Sequence, residues 1–116
     1  MKEKVLRKLL IKNMPEVHWQ PIETGGTARG VPDLNGCYLS REIWIELKQG
    51  KPRLSAFQMN WIRKRDNAGG RVWVVSIWNR QLFGWYGGLL QSRFFVQFLK
   101  DIKWATLRDE LFQDGL

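Results

Sequence analysis

Glu46 and Lys48 stand one residue apart in Ile43-Trp44-Ile45-Glu46-Leu47-Lys48, a β-rich run whose apolar residues alternate. On a strand, side chains two positions apart leave from the same face, so this carboxylate and ammonium project together. Ionised groups on an otherwise apolar strand are costly to bury unless they are paired or put to use. Asp33, after Pro32, lies thirteen residues before Glu46 on the preceding predicted strand. A hairpin between the two strands sets Asp33 beside Glu46, where the carboxylates repel and each resists ionising. A hard divalent cation removes that conflict. Asp33, Glu46 and the backbone carbonyl of Leu47, with waters, make an oxygen-ligand site suited to Mg²⁺ or Mn²⁺. Such an ion acidifies a water and stabilises charge in the in-line displacement of a phosphodiester. Lys48 can orient or deprotonate that water, or steady the developing negative charge. A bare Glu-x-Lys is usually a strand-face ion pair, and an Asp after Pro usually a turn residue. Pro-Asp at hairpin distance, with a basic helix immediately downstream, favours chemistry.

The elements that must position these groups read as follows. Val5, Leu6, Leu9 and Leu10 fall at helical spacing, and Pro15 stops a first helix that reaches about Asn13. Val17 to Glu23 reads as a short strand, followed by a glycine-rich loop, Thr24 to Gly30, without the Lys-Ser/Thr ending of a phosphate-binding loop. Val31–Leu39 and Glu42–Gln49 read as strands joined near Ser40-Arg41, with Asn35-Gly36 a turn or bulge in the first. Leu54 to Ala68 is the strongest helix. Ser55 and Gln58 fit a capping box, Leu54 and Met59 a hydrophobic staple, and Gly69-Gly70 a stop. Phe57, Trp61 and Ala68 share one side of it. Arg71–Trp78 is a strand apolar enough for burial on both faces. Gln81–Tyr86 reads as a strand, and Leu89–Lys100 and Trp104–Gln113 as helices, the last capped by Thr106. The class is α/β or α+β: a central sheet with flanking helices, in the order α-β-β-β-α-β plus C-terminal helices.

Composition bounds the partner. The chain has 116 residues, 19 Lys and Arg against 11 Asp and Glu, and a net charge of +8. Of these, 17 basic and 7 acidic residues lie in positions 1–100, and the segment after it is net acidic and expected to face away from a polyanion. The excess gathers at Lys2, Lys4, Arg7, Lys8 and Lys12, and again from Lys48 through Lys51, Arg53 and Arg63-Lys64-Arg65 to Arg71. Such clusters favour phosphate backbones without specifying a base sequence. At 44% hydrophobic the chain has material for a small core. No apolar run approaches the ~20 residues of a membrane span. One cysteine, Cys37, and one histidine, His18, exclude an internal disulfide and a thiolate zinc site. The expectation is a soluble, cytoplasmic protein with no membrane partner. Cys37 reads as a half-buried small residue, His18 as a surface or packed strand residue, and Trp44, Trp73 and Trp78 as core. Trp85-Tyr86 is a weak candidate for stacking on an unpaired base.

Three blocks carry a resemblance: Gly30-Val31-Pro32-Asp33-Leu34, then Trp44-Ile45-Glu46-Leu47-Lys48, then Leu54-Ser55-x-x-Gln58-x-x-Trp61 before Gly69-Gly70. In this order they resemble the PD-(D/E)XK nuclease superfamily, and within it the VRR-NUC group. Stand-alone members of that group occur in bacteriophages and resemble Holliday-junction resolvases. The likeness covers residues 1–78, taken as a nuclease core, and leaves 79–116 as an extension that completes the core or forms a dimer interface. It implies a restriction-endonuclease-like fold in a single domain, 1–116. It also implies that Asp33 and Glu46 bind the metal, that Lys48 assists the water, and that Gln58 lies near the metal. The group's added upstream metal ligand falls on Glu23, before the glycine loop, with Glu3 and Glu16 as weaker matches. The implied activity is Mg²⁺-dependent endonucleolytic cleavage of branched or duplex DNA by a homodimer. The protein would work in a bacterial or phage-infected cell, with Lys8, Arg29, Lys51, Arg53, Arg63 and Lys64 on the DNA. Two other readings compete: a sequence-specific restriction or homing endonuclease, and a DNA-binding module without activity. The intact Asp33, Glu46 and Lys48 argue against the latter.

Overall fold

The computed structural model describes residues 2–23, 29–87 and 94–113. They form α1 (Glu3–Asn13), β1 (His18–Pro21), β2 (Leu34–Tyr38), β3 (Arg41–Gln49), α2 (Ala56–Asn67), β4 (Arg71–Trp78), β5 (Gln81–Tyr86), β6 (Phe94–Phe98), a 3₁₀ turn (Leu99–Asp101) and α3 (Trp104–Phe112). All six strands join one sheet in sequence order. Neighbours run antiparallel except β3 and β4, which are parallel. A parallel pair needs a crossover, and α2 supplies it. The result is the expected mixed sheet flanked by helices.

The alternation of β3 sorts the two sides of the sheet. Ile43, Ile45 and Leu47 enter the larger core with Leu6 and Leu10 of α1 and Leu107, Leu111 and Phe112 of α3. Trp44, Glu46 and Lys48 face α2. β4 is buried on both faces, as its composition predicts: Trp73, Val75 and Ile77 join the larger core, while Val72 and Val74 pack on Ile62 of α2. The indole Nε1–H of Trp73 donates to the Leu111 carbonyl at 3.0 Å and ties α3 to the sheet. The small Ile62–Val72–Val74 cluster sets the phase of α2. Ile62 is buried, Trp61 half-buried, and Ala68 and Phe57 lie exposed rather than on a buried side.

Other local readings change. β2 starts at Leu34 rather than Val31, and β1 spans less than Val17–Glu23. Asn35-Gly36 makes no turn. Both residues pair with β1 and β3, and a Cβ at Gly36 would come 2.6 Å from the Trp19 ring, so glycine serves packing there. The reversals fall at Leu39-Ser40 (φ 50° and 65°) and Asn79-Arg80 (φ 53° and 60°), between the pairs Tyr38–Arg41 and Trp78–Gln81. Both are two-residue hairpins with left-handed centres. The first falls one residue before the predicted junction near Ser40-Arg41; only Asn79 belongs to the residue types enriched in left-handed centres, so the turn type was not legible. Where a helix is predicted over Leu89–Lys100, the described part is β6 and the 3₁₀ turn, and residues 89–93 lie outside the described residues. Phe94-x-Val96-x-Phe98 alternates with period two, and pairing with β5 decides between the periods. α3 begins after Lys103, with Thr106 inside its first turn rather than at its cap. His18 is exposed as one of the two readings had it. Cys37 is exposed rather than half-buried, and Trp78 is 46% exposed rather than core. Most of the glycine-rich loop, 24–28, lies outside the described residues. No helix among the described residues is long and apolar enough to cross a membrane.

Candidate active site

β2 pairs with β3 so that Leu34 lies opposite Ile45, which sets Asp33, one residue before β2, across from Glu46. Asp33 Oδ2 accepts the Leu47 N–H at 2.8 Å. Glu46 is only 3% exposed. Its Oε2 accepts from Gln58 Nε2 at 3.2 Å and lies 3.6 Å from Lys48 Nζ. Lys48 Nζ in turn donates to Gln58 Oε1 at 3.0 Å. Gln58 therefore bridges the carboxylate and the ammonium of the strand pair.

The same Gln58 closes the capping box of α2. Its N–H donates to Ser55 Oγ at 3.1 Å, and its Oε1 accepts the Ser55 N–H at 2.9 Å. One side chain thus both closes the helix cap and bridges Glu46 and Lys48. Gly30 fixes where the helix begins. With φ at +86°, a Cβ on Gly30 would lie 2.3 Å from the Phe57 carbonyl oxygen and 3.0 Å from Gln58 N. Any side chain at Gly30 pushes the first turn of α2, and Gln58 with it, away from β3. This gives the glycine of Gly30-Val31-Pro32-Asp33 a positioning task.

A third carboxylate joins the first two. Oxygens of Glu3, Asp33 and Glu46 all lie within 4.8 Å of one another. Glu3 comes from the first turn of α1. Glu23, the favoured upstream acid in the sequence, is instead largely exposed and 4.0 Å from Arg7. Glu16 pairs with Arg108 at 2.7 Å. The signal for Glu3 lay in helix phase: it precedes the buried Leu6 and Leu10 by three and seven residues and so lies in line with them on α1, itself still exposed. Burial pushes Glu46 up to about 8, and the neighbouring Asp33 and Glu3 charges push the same way, against Lys48. Three carboxylates with no nitrogen or sulfur among them match a hard, oxygen-seeking divalent cation, which would also lift the penalty on Glu46.

The basic residues divide by position. Arg63 is exposed on α2, and Arg29 and Lys64 border a groove along that helix. Lys51 lines a cleft with Leu54, Met59, Trp78 and Trp85, and Arg53 is exposed between β3 and α2. Lys8 is exposed on α1, across the sheet from α2. Trp85 stacks on Phe83, with ring centroids 5.6 Å apart, whereas Tyr86 packs edge-on against Trp73 in the core.

No protein-family model matches the chain, and no curated protein does. A solved structure is similar: Hjc, a Holliday junction resolvase from the archaeal hyperthermophile Archaeoglobus fulgidus. The TM-score is 0.57 at 17% identity, over 73% of this chain and 76% of that one. The chain thus shares the fold of that resolvase, a mixed sheet flanked by helices.

Proposed function

We propose that this protein is a divalent-metal-dependent endodeoxyribonuclease acting on branched DNA, of the VRR-NUC kind. The observation that carries the reading is the convergence of Glu3 of α1, Asp33 just before β2, Glu46 and Lys48 of β3 and Gln58 of α2 in a resolvase-like fold. Glu3, Asp33 and Glu46, with the Leu47 carbonyl, would hold Mg²⁺ or Mn²⁺, which when bound would supply an acidified water and offset charge on the phosphate. Lys48 orients that water and offsets charge on the non-bridging oxygens as the new P–O bond forms and the old one breaks. Gln58 holds the Lys48 ammonium and the Glu46 carboxylate in register. The test is incubation with four-way junction, flap and linear duplex DNA in Mg²⁺ or EDTA. Cutting of branched DNA in Mg²⁺ only is expected, and cutting that persists in EDTA would sink the mechanism. Discrete sites on linear duplex would instead favour a restriction-type enzyme.

The working unit in this proposal is a homodimer. β5 and β6, Gln-Leu-Phe-Gly-Trp-Tyr and Phe-Phe-Val-Gln-Phe, contain no charged residue in a chain of net charge +8. Register places Trp78, Phe83, Phe94, Val96 and Phe98 on one sheet face beyond the cover of α2, and Phe94 and Phe98 are 59% and 62% exposed. Uncharged, aromatic-rich surface is what the centre of a protein interface requires. It is also where two like-charged copies repel least. Light scattering should give about twice 13.7 kDa for the wild type and the monomer mass for F94E/F98E. A monomeric wild type at 100 µM (a concentration of choice) would remove the dimer from the proposal.

A further inference from the structure

The outer side of α2 carries a groove that the metal site does not use. Arg29, Phe57, Asn60, Trp61, Lys64 and Arg65 line it, around about 440 Å³. Positions 57, 60, 61, 64 and 65 form one stripe of a helix, so the groove starts next to Gln58 and runs away from the site. From Phe57 to Arg65 it extends about 12 Å at the ~1.5 Å rise per helical residue.

Two features of the lining point to a ligand. The first is charge. Arg29, Lys64 and Arg65 are three cations, and among the described residues no acidic side chain lines the groove and no carboxylate pairs with any of them. Arg65 is fixed between two indoles, 5.2 Å from the Trp44 ring and 4.6 Å from that of Trp61, and Arg29 lies 5.1 Å over Phe57. Cations held on rings in this way lose little freedom when a phosphate arrives. The second is Phe57, which is 53% exposed among these charges. A surface that only grips duplex phosphates has no use for a half-exposed aromatic ring, since paired bases keep their faces inside the helix. A basic groove with aromatic rings beside it is the arrangement that binds an unpaired strand, with phosphates on the cations and bases on the rings.

We infer that the α2 groove binds a single-stranded DNA segment, about three nucleotides at the ~3.4 Å rise of a stacked strand, leading to or from the metal site. The nuclease reading enters only in that last clause, where the bound strand continues to Asp33 and Glu46. The ligand class of the groove stands without it. Phe57 stacks a base, and Arg29 and Lys64 take the phosphates. The substrate is then a branch or flap with an unpaired strand at its junction rather than a continuous duplex.

Fluorescence anisotropy in EDTA tests this, with a fluorescein-labelled 20-nucleotide oligo-dT and a blunt duplex of the same length. Phe57→Ala should weaken oligo-dT binding roughly 5- to 150-fold, as loss of one base–aromatic stack does, and leave duplex binding within about twofold. R29Q/K64Q should lower the slope of log affinity against log salt for oligo-dT by about 1.4, or ~0.7 per phosphate contact. Circular dichroism melts confirm folding, and Phe57→Leu serves as a second variant that keeps apolar bulk and loses the flat ring. Unchanged oligo-dT affinity in both Phe57 variants overturns the inference, as does an equal loss on duplex. The readout uses no metal. A protein that cuts no DNA but shows this pattern loses the nuclease reading and keeps the groove. One that cuts junctions while both Phe57 variants bind oligo-dT normally keeps the nuclease reading and loses the groove.

Discussion

Asp33→Asn should reduce Mg²⁺-dependent DNA cleavage by about 10³-fold or more without lowering the melting temperature. Asparagine is the same size as aspartate, and its Oδ1 can still accept the Leu47 N–H that Asp33 Oδ2 accepts at 2.8 Å. What disappears is the charge. A cation then loses one of the three carboxylates that surround it, while Glu46 loses a repelling neighbour and is relieved. Activity falls and stability stays level or rises. Lys48→Ala should cost about 10²- to 10³-fold in cleavage, the range for losing one group that stabilises transition-state charge. It should leave metal binding unchanged or tighter, because the Lys48 ammonium repels rather than holds the ion. Cleavage time courses on a four-way junction, paired with calorimetric melts and Mn²⁺ titrations, separate these outcomes. A Lys48→Ala protein that cuts within threefold of the wild type would contradict the assigned role.

The second large effect follows from pH. Glu46 is raised from its ordinary 4.5 to about 8, first by burial and then by Asp33, with Glu3 adding and Lys48 opposing. Between those values the folded, metal-free chain holds a proton on Glu46 that the unfolded chain has released. Stability without metal is therefore full below 4.5 and declines as pH rises toward 8, at up to about 1.4 kcal/mol per pH unit from this one group. Glu46→Gln cannot ionise, so the difference between variant and wild type should grow in the variant's favour across this window. Metal requires the carboxylate, so below pH 8 binding displaces a proton, and apparent Mg²⁺ or Mn²⁺ affinity should climb up to about tenfold per pH unit, then level off. Calorimetric melts from pH 5.5 to 8.5 (a chosen range), with and without metal, read both effects. Identical slopes for the wild type and Glu46→Gln would rule out a proton on Glu46 as their cause.

Much of the site was legible because its signals are local. Strand alternation put Glu46 and Lys48 on one face. The distance back to Pro32-Asp33 fitted a hairpin, and Ser55-x-x-Gln58 marked a helix start. Each depends on residues within about fifteen positions of one another, where covalent geometry limits what the chain can do. The third carboxylate was harder. Glu3 lies thirty residues before Asp33, and proximity along the chain favoured Glu23, which the fold leaves out in solvent beside Arg7. Helix phase against Leu6 and Leu10 was the only cue, and it needs the sheet in place to have meaning.

The C-terminal third shows the same limit from another side. Phe94–Phe98 holds enough apolar residues to satisfy either a helix or a strand, and only the open edge of β5 decides. The hairpins at Leu39-Ser40 and Asn79-Arg80 have left-handed centres that three of their four residues do not advertise; pairing of the flanking strands imposes them. By itself, then, the sequence determined the pair of strand carboxylates, the lysine beside them, the capped helix and the positive charge, since each is a matter of residue type and short spacing. Tertiary structure decided which distant acid joins the carboxylate cluster, that Gln58 caps α2 and bridges Glu46 and Lys48 at once, and that three cations and two rings border one groove. Those depend on how α1, α2 and the sheet meet, and long-range packing sets that meeting.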